Sequence, residues 1–103
     1  MHRFIQLALT AGLLSVLHVA HADQELLQKN NCFACHSMDK RKYGPKFVDV
    51  GAKYAKQSNG AEYIAQKIKS GSSGVWGEDM MPPQPMVSEA DALAMAKFML
   101  SLK

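Results

Sequence analysis

The chain has 103 residues, 12 basic against 9 acidic for a net charge of +3, and 48% hydrophobic content. That length holds one small domain and excludes a multidomain enzyme, and a 20% charged content does not describe a disordered tail. Two cysteines are too few for a disulfide-dense miniprotein, while a sequence pI near 9.0 raises nucleic acid or an anionic surface as a partner.

The chain opens with a positive start, Met1-His2-Arg3, followed by a mostly apolar run over residues 4–19. Ala20-His21-Ala22 then sets small residues where a leader is cut. This grammar predicts a secretory signal peptide over 1–22, cleaved after Ala22, and one domain over 23–103. The rival reading is an uncleaved membrane anchor. It needs about 20 apolar residues, and Gln6, Thr10, Gly12, Ser15 and His18 interrupt the run. No cysteine follows the small residues directly, so no lipid anchor is expected. Cleavage leaves 81 residues with a net charge of +2 and a single histidine, His36. A chain that short is marginal for burying a core without a disulfide, metal or cofactor.

Residues 23–31 read as a short helix with Asp23 as N-cap and Leu26 and Leu27 facing inward. A basic loop runs from Ser37 to the breaker pair Gly44-Pro45. Residues 46–55 are weakly helical, with Phe47, Val50 and Tyr54 spaced by three and four. Ser58 or Asn59 caps a helix over 60–70, where Ala61, Ile64, Ala65 and Ile68 form an apolar stripe and Gly71 is the stop. Ser88 opens a last helix, with Asp91 three positions on and Leu93, Ala96, Phe98, Met99 and Leu100 as its apolar face. Between these helices, residues 71–87 form an irregular stretch too long for a mere connector, rich in methionine and proline and carrying Trp76. No strand pattern, internal repeat or low-complexity tract is present.

The chemistry lies in Cys32-Phe33-Ala34-Cys35-His36. C-x-x-C-H is the attachment signature of c-type haem: two cysteines on one helical turn reach neighbouring vinyl groups, and the next imidazole can bind iron from one face. A thioredoxin-like pair would want a βαβ setting. Zinc would want a fourth ligand, and a disulfide across two residues would stabilise little. With no second histidine, a methionine is the expected ligand on the other face. Met95 and Met99 read as packing residues of the last helix, and Met38 lies too near His36 to cross over. Of the loop methionines, Met81 precedes Pro82-Pro83, which extend and stiffen its backbone. Met80 can compete from the adjacent position, and Met86 is expected to pack near the start of the last helix.

Together with Gly44-Pro45, the run GVWG at 74–77 and Met81-Pro82-Pro83, this motif resembles the small bacterial class I c-type cytochromes, of the periplasmic cytochrome c-551 (cytochrome c-8) kind. The likeness spans residues 23–103. It implies an all-α cytochrome c fold, about four short helices wrapped around one covalent haem c. It implies thioethers at Cys32 and Cys35, and His36 and Met81 as axial ligands. The Pro45 carbonyl would orient His36, while Trp76 and Lys67 would reach the haem propionates. For Trp76 a core role is the alternative, and for Lys67 a solvated surface role. Two departures stand out. Gln84 occupies the place where the family commonly has an asparagine bonded to the ligand sulfur. Glu78-Asp79-Met80 replaces a proline-containing apolar stretch.

A haem with both faces ligated favours one-electron transfer over chemistry at iron. The implied protein is thus a periplasmic electron carrier and not an enzyme. It would be a monomer without stable membrane insertion, meeting its redox partners transiently; a nitrite reductase, an oxidase or a peroxidase would suit. The alternatives are a haem enzyme or ligand sensor in which Met81 is labile, and a bound subunit of a larger reductase. Lys40, Arg41, Lys42, Lys46, Lys53 and Lys56 could steer an acidic partner or simply form a solvated face. Two ionised propionates would bring the cleaved chain to about zero charge, which removes the argument for nucleic acid.

Overall fold

The computed structural model describes residues 16–103, so most of the predicted signal peptide lies outside the described residues. Four helices follow in order: α1 (Val16–Lys29), α2 (Phe47–Tyr54), α3 (Gly60–Ser70) and α4 (Glu89–Ser101). A single 3-10 turn, Cys32–Ala34, stands between the first two. Among the described residues the one β-type pairing is an isolated antiparallel bridge between Ser72 and Met81. None of the described helices is long and apolar enough to cross a membrane.

Helix α4 is the hub, packing against α1, α2 and α3. Its buried stripe is Ala92, Met95, Ala96 and Met99, a spacing of three and four that puts all four on one face. The expected face was broader; Leu93, Phe98 and Leu100 flank this stripe and are only half-buried. Ser88 caps the helix as expected, its Oγ accepting from the Asp91 amide at 3.1 Å. Opposite it, α2 buries Phe47, Val50 and Tyr54, and α3 buries Ile64 and Ile68. Gly51 lets α2 touch the Met99 backbone of α4 directly, where any Cβ would collide. Leu27 is fully buried and ties α1 to this core.

Three local expectations are corrected. Among the described residues helix α1 covers Val16–Lys29, so Asp23 lies inside it and caps nothing; no proline or glycine stands between Val16 and Asp23 to stop the helix. Asn59 holds the N-cap place of α3, but its side chain does not cap the helix. Its Oδ1 accepts from Gln57 Nε2 at 2.9 Å instead. Met86 does not pack at the start of α4: it is 95% exposed, and Val87 takes the buried seat.

Candidate haem site

The helices enclose a cavity of about 250 Å³ on the side where the two long loops meet. Its inner wall is apolar, built from Phe47, Val50, Ile64, Ile68 and Met99. Cys32, Cys35, His36, Met80 and Met81 all line this same space.

The Cys32–His36 segment is held by its own backbone. Asn31, with φ 60°, ends the run from α1 in a left-handed conformation that asparagine tolerates. The amides of Cys35 and His36 then both donate to the Cys32 carbonyl, at 3.2 and 3.0 Å. This winding carries the sequence spacing of the two thiols and the imidazole into one compact turn. Both cysteines are half-buried and unbridged. Burial pushes the Cys32 thiol up from its ordinary value of 9.0, favouring the protonated form.

His36 is positioned from three directions. Its Nδ1 lies 2.7 Å from the Pro45 carbonyl, the contact the family likeness implied. A carbonyl can only accept, so Nδ1 carries the proton and Nε2 keeps its lone pair for a metal. The Phe47 ring stacks on the imidazole, centroids 4.9 Å apart. Gly44 closes the third side: a Cβ there would stand 2.5 Å from Cε1 and 2.7 Å from Nδ1. Sequence reasoning took Gly44 only as a breaker and Phe47 only as core. Their roles arise from the loop folding back, fixed by the Gly44 amide donating to the Cys35 carbonyl at 2.7 Å.

Met81 enters from the opposite loop. Its amide and carbonyl bond those of Ser72, at 2.9 and 3.1 Å. Gly71, with φ 77°, makes this bridge possible, since a Cβ would lie 2.5 Å from the Met81 carbonyl oxygen. Beyond the prolines, the Gln84 amide caps α3 by donating to the Ile68 and Lys69 carbonyls at 3.2 and 3.1 Å. The Gln84 side chain lines the cavity and donates to the Pro82 carbonyl at 3.3 Å. Met80 is 56% exposed at the mouth, whereas Met81 is half-buried. Met95 and Met99 are core residues as expected, and Met38 packs half-buried against the core.

Trp76 and Lys67 both line the cavity. Trp76 is half-buried and also packs on the core, with Lys53 Nζ 5.3 Å from its ring centroid. Lys67 Nζ lies 5.4 Å from the Tyr63 ring, and Tyr63 packs on Tyr54 at 5.0 Å. Sequence reasoning missed these two tyrosines as wall residues. The basic segment has internal partners: Arg41 donates to the Trp76 carbonyl at 3.1 Å, Lys42 to the Phe33 carbonyl at 3.0 Å, and Lys46 pairs with Asp49 at 3.8 Å.

Two thiols, an imidazole with its far nitrogen oriented, and thioethers on one apolar cavity form a soft donor set suited to haem iron. The residues present fit such a group. Residues 22–103 match the cytochrome c family. The chain is 50% identical over 93 residues to cytochrome c-552 of Nitrosomonas europaea, covering 90% of each chain. It is 46% identical over 80 residues to cytochrome c-551 of Azotobacter vinelandii, covering 78% of this chain and 96% of that one. The crystal structure of wild-type Nitrosomonas europaea cytochrome c552 shares its fold with a TM-score of 0.76 at 51% identity, over 78% of this chain and 99% of that one. The fold, the donor set and these relatives agree: the chain belongs to the cytochrome c family, a small all-α electron carrier with one covalent haem c rather than an enzyme.

Proposed function

We propose that this protein is a periplasmic one-electron carrier whose haem is held by thioethers at Cys32 and Cys35 and ligated by His36 and Met81. Haem c supplies the one-electron chemistry, its iron passing between the ferrous and ferric states. The chain's own residues set how that chemistry runs. The Pro45 carbonyl, 2.7 Å from Nδ1, holds the imidazole in the tautomer that presents Nε2 and makes that nitrogen more basic. This single contact carries the proposal, because it readies His36 for a metal in the same cavity that Met81 lines.

Met81 is the better ligand on backbone grounds. The Ser72 bridge fixes it at both its amide and its carbonyl, so less entropy is lost when its sulfur binds. The apolar wall excludes water and favours the less charged ferrous state. Trp76 and Lys67, which both line the cavity, would donate towards the propionates. Gln84 stands close enough in sequence to support the Met81 sulfur, although its amide is engaged by Pro82.

In this reading residues 1–22 are an export signal, and residues 23–103 act as a monomer outside the cytoplasm. A respiratory donor and acceptor, such as a nitrite reductase, an oxidase or a peroxidase, would dock briefly at the cavity mouth. Mass spectrometry of the protein exported by a haem-maturing host tests this. The expected product starts at Asp23 and carries one haem. A chain with free thiols overturns the attachment, and a retained leader overturns the processing.

A further inference from the structure

The loop between Ser72 and Met81 is fastened in an unusual way. Its ends bond each other through the Ser72–Met81 bridge. Between them, residues 73–80 are exposed except for Trp76, and no backbone-to-backbone hydrogen bond joins them to the rest of the described chain. The tip is held instead through Trp76. The Arg41 guanidinium donates to its carbonyl at 3.1 Å, the Lys53 ammonium sits over its ring at 5.3 Å, and the ring packs on the core. Arg41 belongs to the loop that carries Gly44 and Pro45, and it reaches 35 positions along the chain to do this.

We infer that Arg41 and Lys53 are positioning residues that strap the Trp76 tip to the His36 side of the molecule, and so hold Met81 against haem iron. A loop closed only at its base can swing about that base. Fixing its tip removes the swing and lowers the entropy lost when the sulfur binds. A charge-assisted bond to a carbonyl and a cation over an indole are each enough to matter in a loop otherwise held only at its base and by the packing of the Trp76 ring. The sequence left these two cations either steering a partner or simply solvated; the structure gives them internal contacts. Lys40 is exposed beside Arg41, carries the same charge, and makes no such contact among the described residues. It provides the control.

The inference rests on Met81 being the iron ligand. The test uses the exported haem protein in its ferric state and follows loss of the sulfur-to-iron absorption band as imidazole is added. Imidazole competes with the sulfur, so its affinity reports how firmly the loop holds. Arg41→Ala is expected to bind imidazole about three- to tenfold more tightly than wild type, the effect of losing one such bond. Arg41→Lys should fall between them, Lys40→Ala should match wild type, and Arg41→Ala with Lys53→Ala should exceed either alone. Hydrogen exchange should quicken at the bonded Ser72 and Met81 amides in Arg41→Ala and stay unchanged in α4. Unchanged imidazole affinity in Arg41→Ala, or an equal shift in Lys40→Ala, overturns the strap while leaving the ligand reading intact. Absence of the band in wild type overturns the ligand reading and the strap with it.

Discussion

On one side of the cavity, His36 is gripped as a side chain. Pro45 accepts from its proton-bearing nitrogen, Phe47 stacks on its face, and Gly44 comes so close that any Cβ there would strike the ring. In the other loop that lines the cavity, Met81 is gripped only as backbone, through its bridge to Ser72 and the distant tip at Trp76. An imidazole is flat and directional and can be fixed before metal binds. A thioether is flexible and offers weak hydrogen bonding, so the chain can place it only by placing the loop. The two walls should therefore fail differently when disturbed.

Glycine substitutions separate them most sharply. Gly44→Ala drives a methyl into the imidazole, and Gly71→Ala drives one into the Met81 carbonyl at a φ of 77° that alanine disfavours. Each should cost about 1–3 kcal/mol in thermal unfolding. Gly44→Ala should also reduce haem incorporation, measured as the haem-to-protein ratio. Gly71→Ala should keep its haem and lose the sulfur-to-iron band. The reverse pattern would break the comparison.

Ser88→Ala is a smaller disturbance away from both walls. Losing the cap on α4 should cost about 1 kcal/mol in a denaturant titration, with the ligand spectrum unchanged.

The subtlest effect is a pH dependence in the wall between them. Burial first, then the neighbouring Tyr63, pushes the Tyr54 phenol above its ordinary 10.0. The folded state then holds this proton more tightly than the unfolded chain. Its contribution is complete below pH 10.0 and is lost as pH rises from there through the folded value. Stability should fall above pH 10.0, and Tyr54→Phe should flatten that fall. An unchanged slope would remove Tyr54 as its source.

The four helices, and the segments that bring Cys32, Cys35, His36 and Met81 to one cavity, were legible because each is a local pattern. The Cys32–His36 spacing survives intact as one turn, Met81 is marked by the prolines after it, and Ser88 and Asp91 signal their own cap. What escaped the sequence depends on which segments meet. Gly44 and Phe47 became neighbours of His36 only because the loop turns back on Cys35. Arg41 looked like a solvated charge because its carbonyl partner lies in the other loop. Met86 and Val87 are both apolar, and only the path of the chain into α4 decides that Val87 goes in. Asp23 has the chemistry of a cap, yet the residues before it continue the helix.

The proposed ligation of haem iron by His36 and Met81 is tested most directly by the sulfur-to-iron band of the ferric exported protein in two single variants. Met81→Ala should abolish the band, and Met80→Ala should leave it at wild-type strength. A band that survives in Met81→Ala or disappears in Met80→Ala would contradict the assignment of Met81 as the ligand.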